Sequence, residues 1–226
     1  CASWFWPDRS RQPTGTLYRE LQASVLGRAR HLPGGVVEDS MSVVSRLAEE
    51  RQFFHWSFEF PEILSGVGDR PPGFDAVVGN PPWDMVRGDA GDQAVRSVRR
   101  SDARQLTRFV RHAGIYRTVP HGHVNRYALF IERALQLVRP HGRIGLLVPA
   151  GAFSDAGTAP LRRYLFSSAS VEAIVGFDNR TGIFPIHRST KFVLFTATGG
   201  EPTGVVRCRF GVSRLANVDT AWSPQE

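Results

Sequence analysis

The stretch Phe74-Asp75-Ala76-Val77-Val78-Gly79 is short and apolar, and Asn80-Pro81-Pro82-Trp83 ends it abruptly. Apolar runs of this length, bounded by turn residues, are buried strands of parallel sheets. Two consecutive prolines cannot donate ladder hydrogen bonds, so the strand must stop there. The alternation continues downstream. Asn125 to Val138 predicts a helix with Ala128, Ile131, Leu135 and Val138 on one face, stopped by Pro140-His141-Gly142. Arg143 to Val148 predicts a second buried strand, Thr158 to Phe166 a helix, Val171 to Phe177 a third strand and Lys191 to Thr196 a fourth. Strand, helix, strand, helix, strand is the pattern of an α/β doubly wound, mostly parallel sheet. The loop Asp178 to Thr190 between the last two strands has no helical pattern, which predicts an antiparallel pair at a sheet edge.

Around this core the chain divides into three parts. Residues 1–66 form a helical segment, with apolar spacing near 3.6 over Leu17 to Leu26 and Val37 to Phe54. Residues 67–200 hold the α/β pattern. Residues 201–226 lead into a linker or a following domain. The aromatic run Phe53-Phe54-His55-Trp56-Ser57-Phe58-Glu59-Phe60 predicts a packed approach to the first strand. The chain opens on Cys1, close to Trp4, Phe5 and Trp6, and reads as part of a longer protein.

Charge narrows the partners. The net charge is +7, and Lys191 is the only lysine. Guanidinium groups suit phosphate geometry, so a polyanion is favoured. Residues 91–124 concentrate seven arginines against two acids. Of these, Arg96, Arg99, Arg100 and Arg104 are candidates for contact with a phosphate backbone, which arginines grip without reading sequence; a solvated helix face is the plainer alternative. No apolar run reaches the roughly 18 residues of a membrane span. Two cysteines, Cys1 and Cys208, make no disulfide framework and offer no metal-ligand spacing. A cytoplasmic setting and a site without metal are expected, and Cys208 is expected to be structural.

The turn after the first strand carries the chemistry. Ligands of open α/β sheets bind at the carboxyl ends of strands. An aromatic amino nitrogen is a poor nucleophile, because its lone pair is delocalised into the ring. Two acceptors around that amino group hold its hydrogens and favour the tetrahedral geometry that attack requires. The Asn80 side-chain oxygen and the Pro81 carbonyl are such acceptors. Pro81 and Pro82 stiffen the turn, and each pushes its predecessor toward an extended shape. Trp83 offers a stacking face worth about 1–3 kcal/mol, against the few kcal/mol that extruding a base costs.

Phe74 to Trp83, read as FDAVVGNPPW, resembles the motif of amino-group DNA methyltransferases. NRYALFIERALQLVRPHGRIGLLVPAGAF, LRRYLF and GIFPIHRSTKFVLF resemble that family's later motifs in their usual order. The whole is similar to adenine-specific (N6) enzymes of the gamma arrangement, and within them to Eco57I-like methylases and fused type IIG restriction-modification proteins. The resemblance covers roughly residues 50–200. It implies a partial Rossmann-like methyltransferase sheet whose first strands are missing. It implies methyl transfer from S-adenosylmethionine to adenine N6 in double-stranded DNA, within a restriction-modification or related defence system. By position it implies that Asn80, Pro81, Pro82 and Trp83 form the catalytic turn. Trp83 would stack on the flipped adenine, Phe184 would contact the base from another side, and Phe130 would touch the cofactor's adenine.

One departure stands out. The family's Phe-x-Gly-x-Gly cofactor loop precedes the Asn-Pro-Pro motif, and no counterpart with the right strand and spacing is present. The chain is therefore expected to be a catalytic half, weak in cofactor binding and turnover alone. Target-recognition and nuclease segments are expected outside these residues. A methyltransferase acting on RNA or on a protein glutamine, and a non-catalytic DNA-binding fragment, are the alternatives.

Overall fold

The computed structural model describes residues 2–8, 10, 12–13, 15–28, 32–66, 68, 70–86, 93–119 and 123–217, without the side chains of residues 94–96. Cys1, His121 and the side chain of Arg96 lie outside the described residues. A five-stranded sheet forms the centre, built from β1 (Phe74–Gly79), β2 (Val138–Pro149), β3 (Ala169–Asp178), β4 (Lys191–Gly199) and β5 (Arg207–Val212), in the order β1-β2-β4-β3-β5. The helices are α1 (Gly15–Val25), α2 (Gly34–Arg51), the short α3 (Trp56–Glu59) and α4 (Pro61–Leu64), α5 (Gln93–His112), α6 (Arg126–Leu137), the short α7 (Gly151–Ser154) and α8 (Ala159–Ser168).

The α/β class and the first four strands are those the sequence predicts. β1 and β2 are parallel, joined through α6. β3 and β4 are antiparallel, as a connection without a helix requires. Their place in the sheet differs from the expectation. β4 lies inside, antiparallel to β2 as well as β3, and β5 takes the outer position, parallel to β3. Pairing is thus evenly mixed rather than mostly parallel. α6 and α8 share one face, where Ile131, Ala134, Leu161 and Leu165 pack on Ile144, Leu146, Val171 and Phe195. The opposite face carries an aromatic cluster around Phe192, with Trp83 and Phe184, rather than a second layer of the named helices.

The aromatic run before β1 packs as predicted on one side only. The rings of Trp56 and Phe60 meet Phe74 edge-on at 5.6 and 5.3 Å. Phe54 and Phe58 are exposed. At the amino end of β1, Asp75 pairs with Arg139 at 2.7 Å and Arg70 at 2.6 Å. The hydrogen bond from Arg139, with the charge of Arg70, holds its carboxyl below the ordinary carboxylate value.

α5 is amphipathic. Leu106 and Phe109 pack against the Phe5–Leu47 cluster, while Val110 joins Val86 and Val124. The segment after α5 is pinned by a buried carboxylate on α6. Glu132 is fully buried and accepts from Thr118 Oγ1 at 2.5 Å, Arg117 N at 2.5 Å and Thr118 N at 3.1 Å. A buried carboxylate is tolerable only when bonded this fully. Replacing Glu132 by alanine orphans two backbone amides. We expect Glu132→Ala to lower stability by about 3 kcal/mol in denaturant titrations, with Glu132→Gln losing less.

Candidate functional site

Asn80 to Trp83 run from the carboxyl end of β1 toward the start of α6. The turn is held at its far end by backbone bonds. Val86 N donates to Val124 O at 2.9 Å, and Arg126 N donates to Asp84 O at 3.1 Å. The Arg126 guanidinium also meets the Asp84 carboxylate at 3.2 Å. Asn125 precedes α6 and its Nδ2 donates to the Tyr127 hydroxyl at 3.0 Å. The two prolines are therefore clamped between a paired strand and a helix terminus, which leaves the turn little conformational freedom.

Within the turn the side chains divide. Asn80 and Pro82 are exposed, Pro81 is buried and Trp83 is half-buried. Asn80, Pro81 and Pro82 line a cavity of about 960 Å³, open on one side, and the exposed ring of Phe130 lines it too. Sequence reasoning thus named two separate stretches that the fold brings to one cavity. Other walls come from the exposed aromatics Phe54 and Phe58 and from Tyr116 after α5. Burial pushes the Tyr116 phenol above its ordinary value, with Arg133 opposing the rise and Glu132 adding to it. It stays neutral at physiological pH and keeps a proton to donate.

Trp83 turns away from the other three. Its Nε1 donates to the Leu147 carbonyl on β2 at 3.3 Å, and its ring lies 5.8 Å from Phe192 at 33°. Phe192 is fully buried, stacks on Phe177 at 4.9 Å and meets Phe184 edge-on at 5.0 Å. Trp83 and Phe184 therefore share one aromatic cluster. They are not among the residues lining the cavity of Asn80 and Phe130. The turn thus has a cavity on one side and a packed aromatic cluster on the other.

The arginines of α5 also divide. Arg100, Arg104, Arg108 and Arg111 line one shallow groove of about 400 Å³ with His112. Arg99 lines a different groove with Arg51 and Asp102. Cys208, expected to be structural, is exposed on β5. Among the described residues no group of three or more His, Cys, Asp and Glu could hold a metal. No helix among them is long and apolar enough to cross a membrane.

Sequence reasoning missed three residues of this region. Glu132 was legible as a charge four positions after Ala128, on the apolar face of the predicted helix. Asn179 reads as an ordinary turn residue, yet it is fully buried. Tyr116 had no signal, because the arginine-rich insertion gives no sign of where its end folds.

A parallel strand ending in an acceptor-bearing proline turn, in a sheet with an antiparallel strand next to a parallel pair, defines an α/β fold of methyltransferase type. The chain belongs to the Eco57I restriction-modification methylase family, whose pattern matches residues 36–184. No curated protein matches it. Among solved structures, one described as a class I S-adenosylmethionine-dependent methyltransferase from Listeria monocytogenes is 16% identical, with a TM-score of 0.42 over 66% of this chain and 40% of that one. The M protein of the type I restriction enzyme EcoKI is 22% identical, with a TM-score of 0.39 over 60% of this chain and 24% of that one. The type IIG restriction endonuclease BpuSI is 19% identical, with a TM-score of 0.40 over 59% of this chain and 14% of that one. The chain spans less than half the length of each.

Phe192 is the contact common to Trp83, Phe177 and Phe184. We expect Phe192→Ala to cost about 4 kcal/mol of stability, measured by denaturant unfolding. Near-ultraviolet circular dichroism should report loss of fixed aromatic packing in the fraction that stays folded.

Proposed function

We propose that this chain carries the catalytic turn of an adenine-N6 DNA methyltransferase. The observation that carries the reading is the exposed Asn80 on a clamped proline turn, at the mouth of a cavity it shares with Phe130. The Asn80 Oδ1 and the Pro81 carbonyl accept the two hydrogens of the target amino group. That removes lone-pair delocalisation into the ring and directs the lone pair outward. S-adenosylmethionine, when bound, supplies the methyl carbon that the nitrogen attacks, with the sulfonium leaving as a thioether. The amino proton displaced by the new bond passes through the accepting oxygens to solvent.

The cavity fits such a cofactor in size and lining. About 960 Å³ is near the upper end of small-molecule sites. The exposed Phe130 offers a ring face to an adenine, and the neutral Tyr116 phenol offers a donor. The free edge of β1 supports the expectation that the glycine-rich loop reaches the cavity from a segment packed beside it. Among the described residues β1 pairs only with β2, and Val78 on it is 82% exposed. On the other side of the turn, Trp83 and Phe184 both pack on Phe192, and this reading gives them the extruded base.

Double-stranded DNA, in the cytoplasm, is the partner this reading assigns. Arg100 and Arg104 are the proposed phosphate contacts, and Arg99, in the other groove, is not. Four arginines on one helix face repel one another, and a phosphate backbone relieves that repulsion. We expect the double variant Arg100→Gln, Arg104→Gln to bind duplexes of any sequence more weakly. The slope of log affinity against log salt should fall by about 2 in fluorescence anisotropy titrations. In the full-length protein, Asn80→Ala should abolish methyl transfer while duplex binding survives. Radiolabelled methyl incorporation and gel shifts on the same preparation decide this; unchanged incorporation removes Asn80 from the mechanism.

A further inference from the structure

The loop between β3 and β4 contains no strand and only one short turn of 3-10 helix at Asn179–Thr181, yet its middle is tied to one side chain. Asn179, the residue after β3, is fully buried. Its Oδ1 accepts from the Phe184 amide at 3.0 Å. Its Nδ2 lies 3.2 Å from the Phe184 carbonyl, 3.2 Å from that of Ile186 and 3.4 Å from that of His187. An amide has two N–H donors, so three carbonyls share them. The side chain thus does what a neighbouring strand would do, satisfying backbone groups that burial would otherwise orphan. Both polar backbone groups of Phe184 meet this side chain, and the Phe184 carbonyl accepts from the Ile186 amide as well, at 2.8 Å.

That arrangement has a consequence for the ring. Phe184 meets Phe192 edge-on at 5.0 Å, and Phe192 holds Trp83 at 5.8 Å. The Trp83 ring is fixed independently, through Leu147 on β2. Trp83 is thus anchored from β2 and Phe184 from Asn179. We propose that Asn179 is a positioning residue that fixes the Phe184 backbone, and so the direction in which its ring is presented to an extruded base. This rests on the assignment of Trp83 and Phe184 to the target base. Aspartate supplies no donor and sets a charge against three carbonyls, serine is too short to reach them, and leucine removes the partner of the Phe184 amide and of the Ile186 carbonyl.

Two measurements test it. The first needs no activity. In the 226-residue chain, Asn179→Ala should raise amide hydrogen exchange selectively across residues 180–187, leaving β3 and β4 protected. Unchanged exchange there would overturn the positioning role. The second is a double-mutant cycle on methylation in the full-length protein. Asn179→Ala and Phe184→Ala should each lower kcat/KM, on the order of 100-fold. Because one acts through the other, the double variant should be no more than about threefold worse than Phe184→Ala. Multiplying losses would mean that Asn179 acts on something other than Phe184, and the proposal would fail. If Phe184→Ala methylates normally while Asn179→Ala loosens the loop, the base-pocket assignment has failed and Asn179 only orders the loop. A stability defect alone would lower the active fraction in both variants without making their effects non-additive.

Discussion

Strand β4 is buried on both faces, and the rest of the molecule is arranged around that fact. Its residues alternate between the two layers. Val193, Phe195 and Ala197 belong to the cluster under α6 and α8, while Phe192 and Leu194 belong to the aromatic cluster on the other side. Phe192 and Phe195 are both fully buried. A strand apolar on both faces from Phe192 to Phe195 needs a packed layer above and below it, and an interior position also pairs its backbone on both sides. β4 therefore enters between β2 and β3 and bonds both. Its insertion aligns the carboxyl ends of β2 and β3 with its own amino end. That brings Pro149 opposite Phe192 and Phe177 opposite Phe192 from the other flank. The aromatic cluster beside the proline turn is a direct result of this register.

The sequence shows such features unevenly, for physical reasons. The apolar runs of β1 to β4 are strong signals, because a buried strand must be apolar throughout. Sheet order is not encoded locally, and two neighbouring antiparallel strands look the same at an edge or in the interior. β5, read from Arg207-Cys208-Arg209-Phe210, has charged residues at alternating positions and sits outermost, so it carried too little hydrophobicity to register. Of the site, the turn at Asn80 to Trp83 was legible because prolines constrain the backbone locally. The division of its side chains between a cavity and an aromatic cluster was not, since it depends on Leu147 accepting from Trp83. Asn179 and Glu132 illustrate a general difficulty. A polar residue that organises a loop is distinguished from a surface residue only by partners far along the chain or across a turn.

The split of the turn's side chains bears on the proposed transfer reaction. In a methyl transfer the attacking nitrogen and the leaving group lie in line, on opposite sides of the methyl carbon. A turn with one exposed acceptor side chain, one buried proline and a half-buried indole suits that reading, because its groups point two ways. Asn80 and Pro82 face the large cavity, and Trp83 faces the aromatic cluster. The prolines keep these directions fixed, because a turn free to rotate would exchange the faces and lose the alignment.

Rigidity at the turn also explains why so much hydrogen bonding surrounds a short segment. Asn80 makes no side-chain hydrogen bond among those described, so its oxygen keeps its acceptor capacity for a ligand, whereas the atoms around it are committed. The backbone on the far side of the turn bonds to Val124 and Arg126, and the indole bonds to β2. An acceptor held in place while its own valences stay open costs entropy at folding and recovers it at binding, since little ordering is left to do. The same logic governs the loop that carries Phe184, where one buried amide replaces the ladder that a strand would supply. In both places neighbouring groups that are not proposed to meet the ligand hold the geometry.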